Sequence, residues 1–196
     1  MVVTRQVMCL MNMEKLLMEI YDRLFRAYGS QGWWPITPSG SHIPVYSREN
    51  IYKEKNDREK LEISIGAILT QNTSWKNAEK SIIELNKRDL IDRDKLRKID
   101  IKELADLIRS SGYYNQKAKK IKAFVEFRGE ITRENLLKIW GIGPETADSI
   151  LLYAYNIPVF VVDAYTRRLL HRMGLIKDRA DYHEIQALFM ENLPGS

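Results

Sequence analysis

Cysteine is nearly absent from this sequence of 196 residues, and long apolar runs are absent altogether. The single cysteine, Cys9, excludes an internal disulfide and cannot bind a four-cysteine iron–sulfur cluster, so we expect neither in this chain. No apolar segment approaches the roughly 20 residues of a membrane-spanning helix, which predicts a protein without a membrane partner. The three histidines, His42, His171 and His183, are scattered and lack ligand spacing, so no catalytic metal is expected.

The remaining composition is that of an ordinary globular protein, with 44% hydrophobic and 29% charged residues. The length fits one domain, or one two-lobed unit, that can bury a core. A net charge of +5 is compatible with a polyanionic partner, although many basic proteins bind no nucleic acid. The scarcity of cysteine favours a reducing compartment, so a cytoplasmic protein is expected.

Apolar residues recur every three or four positions along most of the chain, which is the spacing of amphipathic helices. Residues 63–69 are apolar on nearly all sides and predict a buried central helix. Residues 36–60 contain prolines, a glycine and mixed charges, which predict a polar loop or insertion. The longest alternating stretch covers only residues 158–162. We therefore predict an all-α fold.

The most informative segment is a glycine-hinged turn at residues 140–145, which read Trp-Gly-Ile-Gly-Pro-Glu. Gly141 and Gly143 permit a tight turn and allow backbone N–H groups to approach a ligand. Pro144 suits the first position of a helix, and a loop ending at a helix N-terminus can bind phosphate. Asp163 follows the next apolar run. Its position alone is typical of a helix N-cap.

Together these segments resemble the helix-hairpin-helix DNA glycosylases of the endonuclease III superfamily. Residues 67–73 (Ala-Ile-Leu-Thr-Gln-Asn-Thr) are similar to the family's helix end that carries a glutamine wedge. Residues 111–118 (Ser-Gly-Tyr-Tyr-Asn-Gln-Lys-Ala) are similar to its second DNA-contacting loop. The four motifs occur in the family's order and cover roughly residues 62–172.

The resemblance implies a two-lobed all-α fold with DNA in a cleft between the lobes. Residues 61–164 would form a helical barrel lobe with the hairpin. Residues 13–35 and 165–196 would form the second lobe, with residues 36–60 as a loop or insertion. Many relatives continue into further helices and a four-cysteine loop, so a sequence ending at Ser196 is either a shortened member or incomplete.

The resemblance also assigns roles to individual residues. Asp163 would be the catalytic carboxylate, which stabilises positive charge on the sugar and orients water; an N-cap role is compatible with this. Gln71 and Tyr113 would fill the gap that a flipped nucleotide leaves, although alone they suggest a helix C-cap and a packed loop. The DNA contacts implied are Gln71, Tyr113, Asn115, Lys117, Gly141, Ile142 and Gly143.

Glu145 points to the type of reaction. Bifunctional family members carry a lysine at this position, which attacks the sugar carbon and forms a Schiff base. A carboxylate cannot do this, so the resemblance implies a monofunctional glycosylase that uses water and leaves an abasic site. The alternatives are an endonuclease III-like glycosylase and lyase acting on oxidised pyrimidines, and a non-catalytic DNA-binding module.

Aromatic residues indicate the substrate. Trp33, Trp34 and Pro35 are similar to an element that walls the base pocket in 3-methyladenine glycosylases of this superfamily. Trp75 follows Gln71 by four residues, so one helical turn could bring it to the same cavity. An alkylated purine is cationic, and indole faces attract cations by ~0.5–2 kcal/mol. Without the resemblance, these tryptophans would simply be packing residues. We predict an alkylated purine as the substrate.

The predicted partner is double-stranded DNA containing a damaged base. The chemistry would require no cofactor, although the family's hairpin often holds a monovalent cation on its main-chain carbonyls. We expect a monomeric protein that is cytoplasmic and associated with the nucleoid.

Overall fold

The computed structural model describes residues 13–193, and almost all regular structure there is helical. The described residues contain ten α-helices, which are α1 Met13–Tyr28, α2 Asp57–Leu69, α3 Trp75–Lys87, α4 Arg93–Lys98, α5 Ile101–Leu107, α6 Tyr114–Glu126, α7 Arg133–Leu137, α8 Pro144–Ser149, α9 Ala164–Arg172 and α10 Tyr182–Met190. Short 3₁₀ helices cover Arg48–Asn50 and Arg109–Ser111, and a π-helical turn, Ile150–Ala154, continues α8. The all-α prediction is confirmed.

The described residues divide into two compact units. The larger unit is Gly32–Ile157, and the smaller one contains residues 13–31 and 158–193. The predicted barrel lobe covers residues 61–164, whereas the larger unit begins at Gly32 and ends at Ile157. Cys9 and residues 194–196 lie outside the described part of the chain.

Helix α2 forms the centre of the larger unit, as predicted for residues 63–69. Ile63, Ile65 and Ile68 are fully buried, and α2 contacts α3, α6 and α8. The helix begins at a capping box, in which Asn56 Oδ1 accepts from Glu59 N at 3.0 Å and Glu59 Oε2 accepts from Asn56 N at 2.9 Å. This reciprocal cap satisfies two backbone donors and fixes the start of α2.

The segment before α2 is anchored by a buried polar network, so it is more than the polar loop that was predicted. Thr37 N donates to Glu62 Oε1 at 2.8 Å, and Asn86 Nδ2 donates to Thr37 Oγ1 at 2.8 Å. Burial raises the pKa of the Glu62 carboxyl, whereas the bonds from Thr37 and the charge of Arg58 oppose that shift. Because buried polar groups need partners, these bonds attach Thr37 to α2 and α3.

The smaller unit has its own apolar core. Its buried members are Val162, Leu170, Ala180 and Ile185. Phe160 and Phe189 stack beside them, with ring centroids 3.7 Å apart. No helix within residues 13–193 has both the length and the apolar character needed to cross a membrane.

Candidate nucleic-acid interface

The glycine-hinged turn joins α7 to α8. Gly141 has φ +83°, and a Cβ at this position would lie 2.5–2.8 Å from side-chain carbons of Lys120, so only glycine fits. Gly143 is the N-cap of α8, and Pro144 occupies its first turn. The turn therefore has the shape that the sequence predicted.

Ile142 supports this turn from inside. Its side chain is buried, and its N–H donates to Ile139 O at 3.1 Å. The predicted phosphate contact through Ile142 does not fit this arrangement, because its amide already closes the turn. Phosphate binding would fall to the backbone around Gly141 and Gly143.

A buried ion pair holds the two hairpin helices together. Asp148 is fully buried on α8, and it accepts from Arg133 on α7 through two bonds. Arg133 Nε lies 2.7 Å from Oδ1 and Nη2 lies 3.1 Å from Oδ2. Sequence reasoning missed this pair, although an acidic residue on the apolar face of a predicted helix was a signal for it.

Gln71 lies two residues beyond the end of α2 and contacts the hairpin. Its Nε2 donates to Gly141 O at 3.1 Å and to Thr146 Oγ1 at 2.9 Å. Its Oε1 accepts from Lys120 Nζ. The structure thus brings together three predicted features: the glutamine, the glycine turn and the helix after it.

Lys117 is not placed to contact DNA, contrary to the prediction. Its side chain is only 2% exposed, and Nζ donates to Leu69 O at 2.8 Å and Ser111 O at 2.6 Å. Burial, with a smaller contribution from the charge of Lys120, lowers the pKa of Lys117 to about 8. The ammonium instead joins the C-terminal end of α2 to the start of α6.

The loop before α6 presents Tyr113 to solvent. Gly112 and Tyr113 have φ values of +68° and +46°, and Tyr113 is 72% exposed. Asn115 is also exposed, in the first turn of α6. Arg109 lies 4.9 Å over the ring of Tyr114 and so occupies one face of that ring. These positions are compatible with the DNA contacts predicted for Tyr113 and Asn115.

The predicted base-pocket residues form one aromatic cluster. The ring centroid of Trp33 lies 4.6 Å from Trp34 and 5.2 Å from Trp75, and Trp34 lies 5.5 Å from Trp75. Trp34 is 6% exposed, Pro35 is buried, and the other two indoles are half-buried. A Cβ at Gly66 would lie 3.0 Å from the Trp34 ring, so α2 approaches this indole closely.

Two tyrosines that sequence reasoning missed belong to the same cluster. Tyr46 lies 6.1 Å from Trp33, and Tyr153 lies 5.5 Å from Trp34, between ring centroids. Burial, and then the nearby charge of Glu79, raises the pKa of Tyr46, while the Trp75 indole opposes the shift. Aromatic residues at positions 46 and 153 were the signal, but no local pattern joins them to position 33.

The route by which Trp75 reaches the cluster differs from the prediction. Trp75 is the first residue of α3, whereas Gln71 and Asn72 lie in the turn after α2. Asn72 has φ +53°, so the two positions are not one helical turn apart. The turn between the helices, and not helical spacing, carries Trp75 towards Trp33.

Asp163 lies in the smaller unit and caps α9. Its Oδ1 accepts from Thr166 N at 2.7 Å and from Thr166 Oγ1 at 2.8 Å. Neither bond uses Oδ2, and the residue is half-exposed. The cap role is therefore present in the structure, and it leaves the geometry open to the catalytic role as well.

Glu145 is exposed in the first turn of α8, where an acidic side chain favours the helix dipole. Within residues 13–193, no three His, Cys, Asp or Glu side chains are grouped so that they could bind a metal ion.

Comparisons with known proteins give the family. The family described as HhH-GPD superfamily base excision DNA repair protein matches residues 65–195. A Methanocaldococcus jannaschii protein that is provisionally named a DNA repair glycosylase is 40% identical, over 93% of this chain and 81% of that protein.

Solved structures of DNA glycosylases are also similar to this chain. The H. pylori 3-methyladenine DNA glycosylase bound to 1,N6-ethenoadenine is 34% identical, with a TM-score of 0.63 over 73% of this chain and 76% of that one. A trapped endonuclease III–DNA covalent intermediate shares the fold at 19% identity, with a TM-score of 0.71 over 92% of this chain and 78% of that one. The chain therefore belongs to the HhH-GPD superfamily of base excision DNA repair proteins and is a DNA glycosylase.

Proposed function

We propose that the protein is a monofunctional DNA glycosylase that excises an alkylated purine from double-stranded DNA with water as the nucleophile. The observation that carries this proposal is the cluster of Trp33, Trp34 and Trp75 in the larger unit, with centroids 4.6–5.5 Å apart. Trp33 and Trp75 are half-buried and present indole surface at one place, with the buried Trp34 packed against both. Because ring alkylation makes a purine cationic, such faces favour it over a normal base.

A structural relative supports a purine substrate. The H. pylori glycosylase that is 34% identical to this chain acts on 3-methyladenine by name and was crystallised with 1,N6-ethenoadenine, which is also a modified adenine. The proposed pocket selects by charge and stacking. Its rim includes Tyr46, whose phenol is protonated at neutral pH, as tyrosines ordinarily are; burial raises its pKa further.

DNA would be held by the hairpin and by the loop before α6. The backbone at Gly141 and Gly143 would contact a phosphate, since a turn that leads into a helix N-terminus favours an anion. Tyr113 is 72% exposed and would enter the duplex where the nucleotide leaves, and Gln71 would assist from the hairpin side. Asn115, which is exposed in the first turn of α6, would also contact the DNA.

The sugar chemistry would depend on Asp163. The bond between C1′ and the base nitrogen breaks, and its electron pair leaves with the base and neutralises the alkylated ring. The sugar gains oxocarbenium character, which the carboxylate stabilises. A water oxygen then bonds to C1′ and loses a proton to the carboxylate, leaving an abasic site.

Glu145 determines what the reaction cannot include. A Schiff base needs an amine, and a carboxylate at this position offers none. We therefore expect the strand to remain intact after excision.

The test is base release from duplex DNA treated with a methylating agent, measured by chromatography with and without borohydride. Free methylated purine without a trapped adduct would support the proposal. A trapped adduct would instead favour a glycosylase and lyase of the endonuclease III type. Binding without any base release would favour a DNA-binding module.

The Asp163→Asn variant tests the catalytic role of Asp163 separately from its role as the N-cap of α9. Asparagine is as good an N-cap as aspartate, so α9 should keep its start and the protein its stability. We expect duplex binding to be retained and excision to fall roughly 100-fold or more, in the range for losing a group that stabilises transition-state charge. Excision at the parental rate would refute the catalytic role of Asp163.

A further inference from the structure

Lys120 contacts two of the proposed DNA-binding elements, the glycine turn at Gly141 and the side chain of Gln71. Three aliphatic carbons of Lys120 lie 2.5–2.8 Å from the position that a Cβ on residue 141 would take, so they fill the space that the glycine leaves. Its ammonium donates to Gln71 Oε1. One side chain on α6 therefore supports the glycine turn with its stem and binds the glutamine with its charged end.

Lys120 also decides which way the Gln71 amide points. A lysine ammonium only donates, and a backbone carbonyl only accepts. With Oε1 held by Lys120, Nε2 is directed at Gly141 O and Thr146 Oγ1, at 3.1 and 2.9 Å. The reverse amide orientation would place Nε2 against the ammonium and Oε1 against the carbonyl. This network therefore admits one orientation.

Neither Lys117 nor Lys119 can replace Lys120 as the donor to Gln71. Lys117, one helical turn before Lys120, is buried and donates to Leu69 O and Ser111 O. Lys119 is exposed, and as the residue next to Lys120 it lies about 100° away round the helix. Lys120 is thus the lysine of this helix that serves Gln71.

We propose that Lys120 is a positioning residue that couples Gln71 to the phosphate-binding hairpin, so that gap filling and phosphate binding act as one unit. The proposal rests on the proposed function, in that it takes the hairpin and Gln71 as DNA-binding elements. Lys120 itself need not touch DNA. It acts through the orientation of Gln71 and through the turn at Gly141.

Two substitutions separate the two contacts. Lys120→Met keeps an aliphatic stem beside Gly141 and removes the ammonium, whereas Lys120→Ala removes both. Lys119→Met is the charge control, since it removes the same charge from the same helix without touching Gln71. Thermal unfolding of each variant checks that the fold is retained.

The assay is binding to a duplex with a tetrahydrofuran abasic-site analogue, measured at several salt concentrations. We expect Lys120→Met to weaken binding roughly tenfold more than Lys119→Met, the lower end for losing a hydrogen bond to a charged group. In a Gln71→Ala background the same substitution should add little, because coupled residues are not additive. Lys120→Ala should weaken binding further, since the turn loses its support.

A second readout separates positioning from general loss of structure. Fluorescence of 2-aminopurine beside the abasic analogue reports whether the gap is filled. The comparison is made with each protein saturated with DNA. Under that condition, binding of Lys120→Met should change the fluorescence less than binding of the parent protein does. Lys120→Arg keeps a donor and should restore part of it.

Two results would overturn the inference. One is equal loss in Lys119→Met and Lys120→Met, which would reduce Lys120 to a surface charge. The other is full additivity with Gln71→Ala. Because the analogue requires no excision, a protein that binds it with this coupling but releases no methylated purine would refute the proposed substrate and leave the role of Lys120 standing.

Discussion

The buried ammonium of Lys117 makes the pH dependence of stability predictable. Burial lowers the pKa of this lysine from its ordinary value of 10.5 to about 8 in the folded protein. Between these two values the unfolded chain binds a proton that the folded chain does not, so the free energy of unfolding rises with pH. Below pH 8 both states are protonated, and the full penalty for burying the charge is present.

The size of this effect follows from the two pKa values. Each pKa unit corresponds to about 1.4 kcal/mol, so the whole change is about 3 kcal/mol. Most of it falls between pH 8 and 10. The two carbonyls that accept from Nζ, those of Leu69 and Ser111, limit the penalty but do not change its sign.

The assay compares urea unfolding of the parent protein and Lys117→Met at pH values from 7 to 10. Other groups titrate in both proteins, so the difference between their unfolding free energies isolates Lys117. We expect the parent to gain up to about 3 kcal/mol on the variant across this range. Parallel curves would refute the reasoning, because they would mean that the two carbonyl bonds keep the pKa near 10.5.

Two further predictions concern the hairpin and the aromatic cluster. Gly66→Ala places a methyl group 3.0 Å from the Trp34 ring, so we expect a loss of about 1–3 kcal/mol in urea unfolding and weaker release of methylated purine; unchanged values for both would mean that the indole is free to move. Asp148→Asn removes the carboxylate that accepts from Arg133, whose side chain is 32% exposed, so we expect a loss of about 1.5–3 kcal/mol in the same assay. A loss below 1 kcal/mol would show that this ion pair does not hold the hairpin.

The helices could be predicted because their signals are local. Apolar spacing of three and four residues is enough to identify an amphipathic helix such as α6, and an apolar run identifies the buried α2; the fold is all-α as expected. The start of α2 was placed too late, although Asn56 and Glu59 have the spacing of a capping box. Mixed charges around these residues are typical of a loop, so the segment was predicted as a loop and the capping box was not recognised.

The burial of Lys117 could have been predicted from the sequence, but the charge of its neighbours favoured the opposite interpretation. Lys117 belongs to a run with three other lysines, a pattern typical of a solvated or DNA-facing surface. The helical period nevertheless places it on the same face as Ile121 and Phe124, both of which are buried. The face of the helix, and not the charge of the run, determines whether this lysine meets solvent.

The contacts of Gln71 could not be predicted in this way, because its three partners are 49, 70 and 75 residues away in sequence. No local pattern fixes the distance between the end of α2 and the hairpin. That distance is set by how α2, α6 and α8 pack, since the buried isoleucines of α2 bring its C-terminal end to both helices. The same packing that builds the core therefore places the glutamine at Gly141, and a change that loosens α2 should alter DNA binding even when no residue of the interface is touched.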